Sequence, residues 1–196
     1  MQTQVKSSGG ITLVPLETRQ LAMRRIAVTK PIDMELACAF SDQVMLLCDD
    51  TVRESIDILF ACPGGEIQAG MLMYDVIQSC PAPMRMFCRG EASSMAALLF
   101  ASGNHGRYIL PHSKLMLHEP LLGNSIRGNA SSIKTLSEEL IGVRTMMNEL
   151  LAKHTGRSIE EIEAATSYDH YFTAQESVDF RLADKIITFQ DMMGGI

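Results

Sequence analysis

The sequence predicts a single α/β domain in which helices pack on a sheet, and three observations carry that prediction. Strand-like apolar runs alternate with helix-like segments, and glycine or proline marks the exchanges. The chain has 196 residues, 46% apolar and 20% charged, which suffices for one sizeable core and lies close to the soluble globular average. Late in the chain, apolar residues recur at three- and four-residue spacing, the period of a helix with one buried face.

Met1 to Gly10 reads as a flexible arm, with Ser7-Ser8-Gly9-Gly10 as a hinge before Ile11-Thr-Leu-Val-Pro15. Residues 11–196 form the domain. Arg25-Ile-Ala-Val-Thr29 is a short β-branched run, followed by a helix-like segment from Met34 to Gln43. Ser55–Ala61 reads as a strand that Pro63-Gly64-Gly65 ends sharply, and Gln68–Gln78 as the helix after it. Met84–Cys88 is the next strand, broken by Gly90 before Glu-Ala-Ser93-Ser94-Met95 opens a small apolar helix that stops near Gly103. Two short strands, Arg107–Leu110 and Lys114–His118, flank Pro111. The long helix spans Ala130 to Lys153 through Ile133, Leu136, Leu140, Val143, Met147 and Leu150, and His154-Thr-Gly156 stops it. Capping boxes at Ser158-Ile-Glu-Glu161 and Thr173-Ala-Gln-Glu176 start two shorter helices.

Composition narrows the function classes. Fourteen methionines and no tryptophan point to a core of thioether and aliphatic packing. A net charge of −6 with scattered basic residues argues against a nucleic-acid partner, which needs a clustered Lys/Arg footprint. The apolar run Met95–Ala101 is far short of the roughly 20 residues of a membrane span. The N-terminal MQTQVKSSGG has no apolar stretch of the kind a secretory signal carries. Cys38, Cys48, Cys62, Cys80 and Cys88 form no Cys-x-x-Cys pair, so the expectation is small buried apolar residues in a reducing cytoplasm.

The candidate chemistry begins at the serine pair. A strand passing directly into a helix leaves its junction near unsatisfied amides and the positive end of the helix dipole, so a serine there is either a cap or a nucleophile. Neither Ser93 nor Ser94 sits in a G-x-S-x-G elbow. Pro63-Gly64-Gly65 offers backbone that can approach a ligand and aim amides at a developing oxyanion, or simply makes a turn. His118 ends an apolar strand, where a general base is held rigidly, whereas His105 and His112 lie in polar, turn-like surroundings. Asp169, in Ser167-Tyr-Asp-His-Tyr-Phe172, precedes a capped helix and is either structural there or orients an imidazole.

Five segments together resemble the proteolytic-subunit family of the Clp protease, ClpP: ACPGGEIQAGMLMYDVIQ, GEASSMAALLFASG, SKLMLHEPLLG, MNELLAKHTGRSIEEIE and YDHYFTAQESVDFRLADKI. They run in order from about Ile56 to Ile187, roughly two-thirds of the chain. The resemblance implies the ClpP/crotonase-like fold, built of β-β-α superhelical repeats with a protruding handle of helix and strand at about residues 120–150. It places the family's nucleophile on Ser94, its histidine on His118 and its aspartate on Asp169, with oxyanion donors on the backbone amides of Gly65 and Met95.

The same resemblance implies acyl transfer to Ser94 with no metal or organic cofactor. It further implies two stacked seven-membered rings enclosing a chamber, polypeptide substrates, and a hexameric Clp AAA+ ATPase that feeds them. Three departures are visible. Tyr168 stands where the family often carries an arginine before the aspartate; the tyrosines of the ATPase-docking pocket are absent from Ile56–Pro63; and the region before Met34 matches poorly. Two alternatives stand beside the peptidase: a divergent subunit that is mainly a structural component of a mixed ring with a paralogous subunit, and a crotonase-type enzyme acting on acyl-thioesters, which the complete Ser-His-Asp set disfavours.

Overall fold

The computed structural model describes residues 1–7, 10–121 and 128–194. Its centre is a seven-stranded sheet. β3 (Arg25–Val28), β4 (Ile56–Cys62), β5 (Met84–Ser93), β6 (Arg107–Ile109) and β9 (Lys185–Ile186) lie side by side in that order, all parallel. β7 (Lys114–Leu117) pairs parallel with the far end of β5, and β8 (His170–Phe172) pairs antiparallel with β7. Helices α2 (Met34–Asp50), α3 (Ile67–Ser79), α4 (Met95–Ala101) and α5 (Ala130–Thr155) alternate with these strands.

The expected break at Gly90 does not occur. β5 continues to Ser93 because it changes partner: Met86–Cys88 pair with β6, and Glu91–Ser93 pair with β7. Gly90 sits at the fork with its N–H donated to Ser113 Oγ at 2.7 Å. Two strand segments followed by a helix therefore recur, first in the two halves of β5 with α4 and then in β6, β7 and α5, as the β-β-α resemblance implies.

Burial on both faces explains the composition of the central strands. Ile56–Phe60 are buried throughout, including Asp57, which is 6% exposed. Its charge is matched across the sheet, since Arg25 and Arg85 are its register partners on β3 and β5 and both reach its carboxylate, at 3.6 and 2.7 Å. All seven residues of α4 are buried, which explains its apolar composition without any polar face. Arg107 ties the frame together: it pairs with Asp184 and donates to the carbonyls of Ala101 and His154, at the ends of α4 and α5.

Other differences from the sequence-based expectations are local. The expected flexible arm is instead a strand, β1 (Gln2–Ser7), which pairs antiparallel with β2 (Gly10–Pro15) in a separate two-stranded sheet. Ser8 and Gly9 of the expected hinge lie outside the described residues. α1 (Leu16–Ala22) follows, with none of its residues buried. α2 runs seven residues past the expected Gln43, because Val44 and Leu47 continue the buried face of Ala37 and Phe40. α6 (Ile159–Thr166) and α7 (Ala174–Asp179) carry the two expected capping boxes in full, and α5 ends at Gly156 with φ +67. α8 (Phe189–Gly194) packs Met192 against the sheet beside Leu59 and Phe87. Residues 122–127 of the expected handle lie outside the described residues.

Candidate active site

Three strands and one turn converge on the site. At the end of β4, the Pro63-Gly64-Gly65 turn is clamped by main-chain bonds: Ile32 N–H donates to the Gly64 carbonyl and Glu66 N–H to the Ile32 carbonyl, both at 2.8 Å. Cys62 Sγ accepts from Gly64 N–H at 3.4 Å and donates to the Lys30 carbonyl at 3.1 Å. Glycine is required at both positions. Gly64 has φ +96, and a Cβ there would lie 2.6 Å from the Ser93 carbonyl oxygen and 2.9 Å from Ser94 Cβ. A Cβ on Gly65 would overlap the backbone of Ile32.

Ser94 stands where β5 gives way to α4. Its φ of 56° and ψ of −124° are unusual for a residue with a side chain, and its N–H is held by the Met116 carbonyl at 2.8 Å. Although Ser94 occupies the N-cap position, its hydroxyl caps nothing. Ser93, one residue earlier, is buried at 5% exposure and ends the strand. The serine pair thus divides: one side chain is packed away, and the other leaves the helix start toward His118.

The register of β7 and β8 explains the remaining geometry. Leu117 is opposite His170, so one step further along this antiparallel pair brings His118 to Asp169. His118 Nδ1 is 3.2 Å from Asp169 Oδ1, and His118 Nε2 is 2.8 Å from Ser94 Oγ. An ionised carboxylate only accepts, so Nδ1–H donates to Asp169, and Nε2 is free to accept from the Ser94 hydroxyl. The three side chains form one continuous hydrogen-bonded line. The His118 side chain is 16% exposed and that of Asp169 63% exposed.

The other two expected groups are the amides of Gly65 and Met95. Met95 N–H belongs to the first residue of α4 and has no carbonyl one turn earlier within the helix. The ladder to Ile32 uses the Gly64 carbonyl and the Glu66 N–H, so the Gly65 N–H lies outside it. Met95 is seated by α3, since its side chain fills the space that a Cβ on Gly70 would take. Met95 directly follows Ser94, and Gly65 lines the same groove as Ser94.

A groove of about 650 Å³ opens onto Ser94 and His118. One wall is the turn and the start of α3, through Pro63, Gly65, Glu66 and Ile67; the other is α5, through Leu136, Leu140, Val143 and Met147. Sequence reasoning placed that apolar stripe on the core face, but only its C-terminal part is buried there. Glu66 was missed, and its direct adjacency to Gly65 was the available signal.

The remaining candidates fall elsewhere. His105 is exposed and contacts Asn104, and His112 borders a different depression with Lys114 and Tyr171. Only two cysteines match the expectation of burial. Cys62 and Cys88 are buried, and burial raises both thiols, Cys88 to about 12. Cys38 is exposed, while Cys48 and Cys80 are half-buried with sulfurs 3.6 Å apart, where α2 and α3 meet. Among the described residues, no group of three His, Cys, Asp or Glu is placed to hold a metal ion, and no helix is long and apolar enough to cross a membrane.

Compared with known protein families, residues 11–190 match the family model described as Clp protease. The match extends well before Ile56, where the recognisable motifs begin.

Proposed function

The chain belongs to the Clp protease family and is of the ClpP peptidase type, and on that premise we propose that it is a serine endopeptidase subunit using Ser94, His118 and Asp169. The observation that carries the proposal is the hydrogen-bonded line from Asp169 through His118 to Ser94 Oγ at the mouth of a groove. Ser94 Oγ attacks the peptide carbonyl as His118 Nε2 takes its proton, while Asp169 fixes the tautomer and balances the imidazolium. The amides of Gly65 and Met95 receive the oxyanion. His118 then protonates the leaving amine. Water, deprotonated by the same imidazole, attacks the acyl-enzyme and restores the Ser94 hydroxyl. The residues that perform these steps call for no cofactor.

The subunit acts on unfolded polypeptides within a chamber of two stacked heptameric rings, supplied by a Clp AAA+ ATPase. That part of the proposal comes from the family resemblance. A second reading, a divergent subunit that is mainly a structural component of a mixed ring, is favoured by the exposure of Asp169 beside Tyr168, itself 85% exposed. Purified protein should hydrolyse short fluorogenic peptides and take a fluorophosphonate label on Ser94. Ser94→Ala should lose both, with turnover falling at least about 10⁴-fold. A label on Ser93, or equal hydrolysis by the variant, would overturn the assignment. Native mass spectrometry showing only monomers at all concentrations would remove the ring.

A further inference from the structure

Resting on the peptidase reading, we propose that the groove selects peptides carrying a lysine or arginine close to the scissile bond, through the carboxylates of Glu66 and Glu139. Both residues line the groove that holds Ser94 and His118. Glu66 directly follows Gly65, and its main chain is fixed by the bond from its N–H to the Ile32 carbonyl. It stands at the N-cap of α3, yet its side chain makes no capping bond. Glu139 lies on α5, one turn from both Leu136 and Val143, so it borders the apolar stripe.

The pairing of other charges around the groove sharpens the contrast. Lys134 pairs with Glu138 at 3.7 Å, and Arg144 is held between Glu119 at 3.5 Å and Glu163 at 3.6 Å. Among the described residues lining the groove there is no lysine or arginine, and neither Glu66 nor Glu139 has an ion-pair partner. Two unmatched negative charges over an apolar floor favour a substrate with a hydrocarbon stem and a cationic head. Lysine and arginine have that form: the stem covers Leu140 and Val143 while the head reaches a carboxylate. The same field disfavours acidic peptides through like-charge repulsion.

Each exposed carboxylate should contribute about two- to fivefold in selectivity, the scale of solvent-facing ion pairs. The test compares internally quenched peptides that carry Lys, Gln or Glu at single positions around one cleavable bond. Specificity constants should rank Lys above Gln above Glu, and the Lys:Gln ratio should shrink in Glu66→Gln/Glu139→Gln and at high salt. A second arm does not depend on turnover. The Lys peptide should bind Ser94→Ala more tightly than the Gln peptide by fluorescence anisotropy, with the difference lost when both glutamates are also replaced.

Equal binding of the two peptides, or a Lys:Gln ratio unchanged in the double glutamate variant, would overturn the proposal. Failure to hydrolyse any peptide, with no label on Ser94, would instead count against the peptidase reading. In that case the binding arm still decides the charge preference.

Discussion

Around Ser94 the backbone is held by neighbouring strand and turn, whereas around Asp169 the proposed orienting carboxylate faces water. Ser94 N–H is bonded to β7, its neighbour Met95 is seated against α3, and Gly64 lies against Ser93 and Ser94 too closely to admit a Cβ. Asp169 touches His118 at 3.2 Å, with its side chain 63% exposed. The proposed nucleophile's position therefore follows from the fold itself, because moving it requires moving strands. The carboxylate's position follows from the register of a three-residue strand, which is easier to disturb.

The largest effect should come from closing the glycine contact. Gly64→Ala places a methyl against the Ser93 carbonyl and the Ser94 side chain at a positive φ. Peptide hydrolysis should fall about 10²–10³-fold, as on loss of an oxyanion donor. Urea unfolding should show a cost of about 1–3 kcal/mol. Near-normal turnover would mean that the Ser94 side is not rigidly determined. Asp169→Asn should cost less, about 10–10²-fold in turnover with little change in stability, because solvent shares the work of stabilising the imidazolium. A loss near 10⁴-fold, the scale for a buried orienting carboxylate, would erase the contrast and imply that Asp169 is enclosed in the working assembly.

The sequence announced the rigid half more clearly than the loose one. Pro63-Gly64-Gly65 and Ser94-Met95 are short-range signals, since their backbone demands are written in neighbouring residues. The capping boxes at Ser158 and Thr173 are equally local. The pairing of His118 with Asp169 joins residues 51 apart in the chain and depends on how β8 registers with β7. No local pattern encodes it; only the family resemblance points to it. The continuation of β5 past Gly90 was hidden for a related reason, namely a change of partner strand that only the assembled sheet supplies. Mostly polar Gln2–Ser7 concealed β1, whose pairing with β2 is a main-chain ladder. On α5 the apolar period revealed the helix correctly but not that Leu136, Leu140 and Val143 would line a groove.

The smallest effect concerns the groove wall, which is pinned where α5 ends. The Tyr74 hydroxyl on α3 is hydrogen-bonded to His154 Nε2 at 2.9 Å, and Lys153 donates to the same hydroxyl at 3.3 Å. Burial, reinforced by the positive charges of Lys153 and Arg107, lowers His154 from 6.5 to about 4. The unfolded chain therefore takes up this proton first. The stability that neutral His154 contributes is complete above pH 6.5 and is lost as pH falls toward 4. Because the imidazole is only partly buried, the loss should be on the order of 1–2 kcal/mol. Urea unfolding followed by circular dichroism, suited to a chain without tryptophan, should show stability falling from pH 7 to pH 5. His154→Gln, which keeps a hydrogen-bonding group for Tyr74 but does not titrate, should flatten that slope. Hydrogen exchange at pH 5 should then loosen the C-terminal turn of α5 while α4 stays protected; equal loosening of both would show that groove wall and nucleophile yield as one unit.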